Sequence, residues 1–243
     1  MSSIKVATWN IHKGVNGLGP RRRLEIHNIG LALEQFDADI IALQEVRKEN
    51  RKMAKQFTHW PNQAQAEFLA PLGYESVYET NAITKHGEHG NALLSRWPVL
   101  SANQEDISDH RFEQRGLLHS ELLIHEQNVH MIVVHLGLIN SSRHRQIAAL
   151  GRYINREVPS SAPLIIAGDF NDWNEQLHGL MRIHDLHTLD SHRLPTFPAR
   201  FPVLHMDRVY VRGLNLINAF VPHGRAWAQM SDHLPLIVDV QLK

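Results

Sequence analysis

Six stretches of this chain place a residue fit for metal or phosphate chemistry at or near the end of an apolar run. Gly168-Asp169-Phe170-Asn171-Asp172 follows Pro163-Leu164-Ile165-Ile166-Ala167, which reads as a buried strand. If the chain stays extended, Asp169 and Asn171 project to one side of it. Gly168 admits close approach of backbone or ligand, and Asp172 offers a side chain that caps a turn or a helix. Taken alone, the same residues make an ordinary strand-to-loop exit. The pattern recurs, however. Asn10 follows one strand, Glu45 ends another and His135 ends a third, while Asp207 lies in His205-Met206-Asp207-Arg208-Val209-Tyr210 and Asp232-His233 precedes the final strand. Spread over the whole chain, these ends imply one cleft at one edge of a sheet sandwich.

Together these residue types serve hydrolysis of a phosphate ester. Hard carboxylate oxygens suit Mg2+ or Mn2+, which keeps several waters and substrate oxygens. Such an ion polarises the phosphoryl group and stabilises charge on the leaving oxygen. A second carboxylate takes a proton from attacking water, and a His donates to phosphoryl oxygens or to the leaving group. That His needs an orienting partner, which an Asp provides.

The elements that must position them follow from periodicity. Ile4 to Trp9 and Asp39 to Gln44 read as strands, with an amphipathic helix over roughly 21 to 36 between them. Tyr74 to Thr80 and Asn91 to Ser95 read as strands with Thr84 to Gly90 as a loop. Gly116 to His125 and Val129 to His135 form a hairpin joined by Glu126-Gln127-Asn128. A helix from Arg143 to about Arg156 takes its cap from Ser141-Ser142, and Glu175 to Ile183 is a short helix. Breaks are expected at Gly17 to Pro20 and in a Pro-bearing loop over 184–204. Strands near 206–211, 214–221 and 235–242 close the chain. Many strands mixed with helical crossovers imply an α/β fold of two packed sheets flanked by helices.

Composition bounds the reading. The 243 residues are 43% hydrophobic and 21% charged, which suits one soluble domain over 1–243 with a sizeable core. Lys and Arg equal Asp and Glu at 25 each, so no global basic field holds polyanions. There is no cysteine, which excludes disulfides and Cys-ligated zinc. The start lacks a signal-like apolar region and no apolar run reaches ~18 residues, so the expectation is a cytoplasmic protein without a transmembrane segment. Arg21-Arg22-Arg23 is unusual, because three cations at a helix N-terminus oppose its dipole. It reads as a solvated run or as a loop that meets an anionic substrate or membrane surface.

The motifs Thr8-Trp9-Asn10-Ile11, Leu43-Gln44-Glu45-Val46, Gly90-Asn91-Ala92-Leu93-Leu94-Ser95-Arg96, Val134-His135-Leu136, Gly168 to Asp172 and Ser231-Asp232-His233-Leu234-Pro235-Leu236 run from residue 8 to 236. In that order they resemble the endonuclease/exonuclease/phosphatase superfamily, the deoxyribonuclease-I-like fold. The resemblance implies a four-layer α/β sandwich, two packed mixed β-sheets flanked by helices, that cleaves phosphodiesters or phosphomonoesters with Mg2+ or Mn2+. By position, Glu45 is then the principal metal ligand, with Asn10 on the metal or a phosphate oxygen and Asp232 beside the metal. Asp169 orients or deprotonates water, Asn171 holds water or a phosphoryl oxygen, and His233 contacts the scissile phosphate with Asp207 orienting it. His135 matches a second family histidine, and Arg115 an arginine that binds phosphate.

The expected activity is a phosphodiesterase, with a Mg2+-dependent endo- or exonuclease as the alternative and an inactive binding module as a third reading. The implied partner is a phosphate-ester substrate, whether a lipid headgroup, a small diester or nucleic acid, with no stable protein partner.

Overall fold

Strand Ile4–Asn10 (β1) serves two cores at once, because alternate side chains leave it on opposite faces. Ile4 and Val6 enter a central core, and Ala7 and Trp9 an outer one. This computed structural model describes residues 3–17, 19–189 and 194–243. After β1 come a tight turn at His12–Gly14 and the two-residue strands Val15–Asn16 (β2) and Arg23–Leu24 (β3), which pair with each other. Helix Ile26–Phe36 (α1), strand Ile40–Val46 (β4) and the short helices Arg51–Gln56 (α2) and Gln65–Leu69 (α3) follow. Strands Glu75–Thr84 (β5), Gly87–Ser95 (β6), Val99–Asp106 (β7), Gly116–Ile124 (β8) and Gln127–His135 (β9) lead to the long helix Asn140–Glu157 (α4). The chain ends with Leu164–Asp169 (β10), His178–Arg182 (α5), Asp207–Arg212 (β11), Leu214–Phe220 (β12), Trp227–Met230 (α6) and Leu236–Leu242 (β13).

Two mixed sheets result, in the orders β12-β13-β1-β4-β6-β5 and β11-β10-β9-β8-β7. The pairs β1–β4 and β9–β10 are parallel, and the remaining pairs antiparallel. Between the sheets lie Val6, Ala42 and Val240 from one side and Met131, Ile165 and Val209 from the other. The outer face of the six-stranded sheet is covered by α1, α3 and α6 through Ile29, Leu33, Leu69 and Met230. On the five-stranded sheet, α4 and α5 bury Ile147, Leu150 and Met181 against Ile132 and Ile166. The four layers are those expected.

Local details correct the sequence reading. Helix α1 starts at Ile26 and not near 21, because Arg23–Leu24 pairs with Val15–Asn16, which keeps the three arginines off the helix N-terminus. Residues 84–90 are not a loop: β5 and β6 run through them, leaving Lys85 and His86 as the turn. The β8–β9 hairpin turns at His125-Glu126, whose φ values of 47° and 65° suit a two-residue hairpin loop, so Gln127 and Asn128 are already strand. Neither Ser141 nor Ser142 caps α4, which starts at Asn140; Ser142 Oγ donates to Asp109 at 2.6 Å instead. Helix α5 is shorter than 175–183, because Asp172 accepts from the backbone N–H groups of Gln176 and Leu177 and holds the intervening turn. Leu18 in the expected break, and 190–193 in the expected 184–204 loop, lie outside the described residues. No helix among the described residues is long and apolar enough to cross a membrane.

Candidate active site

Strand register brings three site residues side by side. Asp169, the last residue of β10, pairs with His135 at the end of β9 and with Asp207 at the start of β11. The approach of β9 to β10 requires Gly168, where a Cβ would stand 1.9 Å from the Val134 carbonyl oxygen. The facing sheet adds Asn10 from the end of β1 and Glu45 near the end of β4, where Glu45 adopts φ 57° at an irregularity in the β4–β6 ladder. Asp232 and His233 arrive on the turn before β13.

Asp169 is the meeting point. Its Oδ1 accepts from Asn171 N–H at 2.9 Å and its Oδ2 from Asn10 Nδ2 at 3.1 Å. Two imidazoles face the same Oδ2, His135 Nε2 at 3.5 Å and His233 Nε2 at 3.7 Å. The other ring nitrogen of His233 donates to Asp207 Oδ2 at 2.8 Å. The backbone carbonyl of His233 accepts from Trp9 Nε1 at 2.9 Å, and Phe197 lies 4.8 Å from the His233 ring between centroids. Asn171, at φ 49°, donates through Nδ2 to the Leu136 carbonyl, which also accepts from Arg115 Nε at 3.1 Å. Arg115 is tied further to Glu113 at 3.1 Å. Asn91, in the Gly90 to Arg96 motif, donates to the Gly116 and Val133 carbonyls.

A second group gathers around Glu45. The Lys13 ammonium bonds its carboxylate, and Lys13 and His12 both hold positive φ, at 65° and 45°. His12 N–H donates to Asn10 Oδ1 at 3.1 Å, while His12 Nδ1 lies 3.8 Å from Asp232. Non-glycine residues at positive φ cost energy, and Glu45, Asn171, His12 and Lys13 concentrate that cost here. The sequence reading missed Lys13, His12 and Phe197. Lys13 and His12 stand in the polar turn directly after Asn10, which is the signal that was available; Phe197 carries none.

The electrostatics separate the groups by protonation. Burial alone would raise the Glu45 carboxyl, but the Lys13 ammonium, aided by His135 and His12, holds it well below the usual carboxylate range. Asp169 is held above that range by burial, with Asp207 adding and His233 opposing. Burial works against the His233 cation too, yet Asp207 and Asp169 push the imidazole up to about 10. His135 moves the other way: burial, then the charge of Arg115, holds it well below the ordinary histidine value. A cationic His233 and a neutral His135 thus flank one carboxylate.

These residues fit a hard divalent cation on the Glu45 side. Glu45 is ionised and already holds a cation, the Lys13 ammonium, and His12, whose charge also acts on Glu45, contacts oxygens of Asn10 and Asp232. Asp169, Asp207 and His233 also form a compact buried group of potential ligands. There the His233 nitrogen facing Asp207 is already spent on it, and imidazole suits Mg2+ poorly.

Two face-to-face mixed sheets with helices outside and a carboxylate–histidine cluster at one edge define the deoxyribonuclease-I-like α/β sandwich. Residues 7–233 match the Endonuclease/Exonuclease/phosphatase family, and the chain belongs to it. Members of that family are hydrolases acting on phosphoester bonds. The chain is 34% identical to YbhP of Escherichia coli K12 over 248 residues, covering 99% of this chain and 97% of that protein. An endonuclease/exonuclease/phosphatase structure from Bacteroides vulgatus superposes with TM-score 0.76 at 18% identity, covering 100% of both chains. The mannosyl-6-phosphatase of Bacteroides thetaiotaomicron superposes with TM-score 0.72 at 19% identity, covering 98% of this chain and 99% of that one.

Proposed function

We propose that the protein is a divalent-metal-dependent phosphodiesterase that promotes in-line attack of water on phosphorus. The observation that carries this is His233 held between two carboxylates, Asp207 at 2.8 Å and Asp169 at 3.7 Å. Asp169, raised by burial toward neutrality, orients a water molecule and takes its proton. His233, cationic at neutral pH and fixed by Asp207, donates to a phosphoryl oxygen as charge grows there. Neutral His135, Asn171 and Arg115 complete the phosphate-facing set. Glu45, with Asn10 and Asp232, would hold Mg2+ or Mn2+, which would supply Lewis-acid polarisation and charge neutralisation.

Residues from both sheets and both ends of the chain build this cleft, so 1–243 acts as one domain and unfolds in urea in a single transition. The direct test is hydrolysis of bis-p-nitrophenyl phosphate by Asp169→Asn and His233→Ala. Each loses activity while its circular dichroism stays that of the parent protein. Retained activity in either variant overturns the assignment of roles, and activity indifferent to EDTA overturns the metal.

A further inference from the structure

The Arg21-Arg22-Arg23 run takes no part in the cleft as described so far. Arg22 and Arg23, adjacent in sequence, turn into different cavities. Arg22 lines one of about 240 Å3 with His12, Lys13 and Arg47, beside Glu45. Arg23 lines a second of about 710 Å3 together with Arg200, His223 and Arg225. No Asp or Glu lines this larger cavity, although acidic and basic residues balance at 25 each over the chain.

Three guanidinium groups around one cavity repel each other unless an anion lies among them. Arg23 is anchored through Nε to the buried Glu25 at 3.1 Å, and its terminal nitrogens have no partner among the described residues. No described residue forms an ion pair or hydrogen bond with the side chain of Arg200 or of Arg225. Guanidinium donors in this number suit the tetrahedral oxygens of phosphate.

The cavity also adjoins the cleft. Ala199, in its wall, donates its N–H to the Asp232 carbonyl at 2.7 Å. The same loop carries Phe197 against the His233 ring, at 4.8 Å between centroids. Gln229, which also lines the cavity, lies two residues before Ser231, whose Oγ donates to the Asn10 carbonyl at 2.7 Å. Two segments of the cavity wall are thus joined by direct contacts to the residues that flank His233.

We propose that this cavity binds a second phosphate group of the substrate, so that the enzyme acts on esters carrying two phosphates. One is cleaved at His233, and the other is gripped by Arg23, Arg200 and Arg225. The substrate half of this inference rests on the phosphoesterase reading above; the phosphate-binding half does not.

Two measurements test it. The first compares the p-nitrophenyl ester of thymidine 5′-phosphate with the same ester bearing a 3′-phosphate, in Mn2+. The added phosphate raises kcat/KM about tenfold or more in the parent protein, and that ratio falls to about one in Arg200→Ala/Arg225→Ala. Equal kcat/KM for the two esters in the parent, or a ratio that survives in the double variant, overturns the proposal. If free inorganic phosphate lifts the rate on the simpler ester to the same extent, the cavity takes an independent anion and the substrate half fails.

The second is calorimetric titration of the metal-free protein with inorganic pyrophosphate. The parent protein and Asp169→Asn bind it, and Arg200→Ala/Arg225→Ala does not. Absent binding in the parent, or unchanged binding in the double variant, overturns the phosphate site itself. Pyrophosphate binding that depends on the arginines, in a protein that cleaves neither ester, keeps the site and rejects the phosphoesterase reading. Both arginines are exposed, so their loss leaves the fold intact.

Discussion

His233 and Asp207 form a buried dyad: imidazole Nδ1 donates to the carboxylate across 2.8 Å, on a side chain that is 7% exposed against one that is fully buried. The bond fixes which nitrogen faces Asp169 and keeps the ring charged at neutral pH. In Asp207→Asn the amide preserves the shape but withdraws the charge. We expect kcat to fall by roughly 10²–10⁴-fold, the range typical of lost acid–base catalysis. The alkaline limb of the pH–rate profile, set near 10 by His233 in the parent, moves toward neutrality. An unmoved limb would mean that His233 does not supply the titrating proton.

Lys13 and Glu45 yield the second prediction. Their contact neutralises a mostly buried carboxylate, with side chains 25% and 18% exposed. Lys13→Met leaves that carboxylate without its cation and lowers the stability of the metal-free protein by about 2 kcal/mol. Mg2+ or Mn2+ then binds against less competition, so the rise in Tm on adding metal is larger in Lys13→Met than in the parent. Thermal melts with EDTA and with each metal measure both effects. Equal increments in the two proteins remove Glu45 from the metal site.

This pair also marks where the sequence stops being informative. Asn10, Glu45, His135 and Asp169 were legible because each sits at or near the end of a strand whose apolar pattern is local, and Asp207 because it opens one. That Lys13 closes onto Glu45 depends on a left-handed turn after β1, which no residue type in His12-Lys13-Gly14 forces except the glycine. The 84–90 hairpin was misread for a related reason. Its polar residues find partners across the ladder rather than in solvent: Glu88 accepts from Thr80 Oγ1 at 3.1 Å and is also bonded by Tyr78. Arg200 and Arg225 lie 25 residues apart and carry no motif, so only folding places them around one cavity with Arg23.

The third prediction concerns acid. His119 and His130 face each other on β8 and β9, with His119 Nε2 2.9 Å from His130 Nδ1 and His119 Nδ1 bonded to Tyr153 OH at 3.0 Å. Burial, then the neighbouring His130, pushes His119 down to about 4, and burial lowers His130 despite Glu121. Both imidazoles are neutral in the folded protein. The unfolded chain takes up protons below an ordinary value near 6.5, so stability is full above that pH and is lost as pH falls from there toward 4. Urea midpoints at pH 7.5, 6 and 5 are expected to fall in the parent and to fall less in His119→Gln. Parallel slopes in the two proteins would place the acid sensitivity elsewhere.

Gly168 supports the last prediction, because its missing side chain lets β9 and β10 pair closely next to His135 and Asp169. A Cβ at Gly168 meets Val134 backbone atoms at 1.9, 2.8 and 3.0 Å, and backbone in the middle of a sheet has nowhere to go. Gly168→Ala therefore costs about 3 kcal/mol or more, by prying apart the ladder that pairs Gly168 with Val134 and Asp169 with His135. Where the variant still folds, kcat falls with stability, since the imidazole and carboxylate no longer meet at 3.5 Å. Gly179 is the control: it lies in α5, and a Cβ there meets nothing within 4 Å. Gly179→Ala should raise stability by about 0.5–1 kcal/mol through reduced freedom of the unfolded chain and leave kcat unchanged. Urea unfolding and bis-p-nitrophenyl phosphate hydrolysis on both variants decide the matter, and a Gly168→Ala protein as stable and active as its Gly179→Ala counterpart would break the link between this glycine and the cleft.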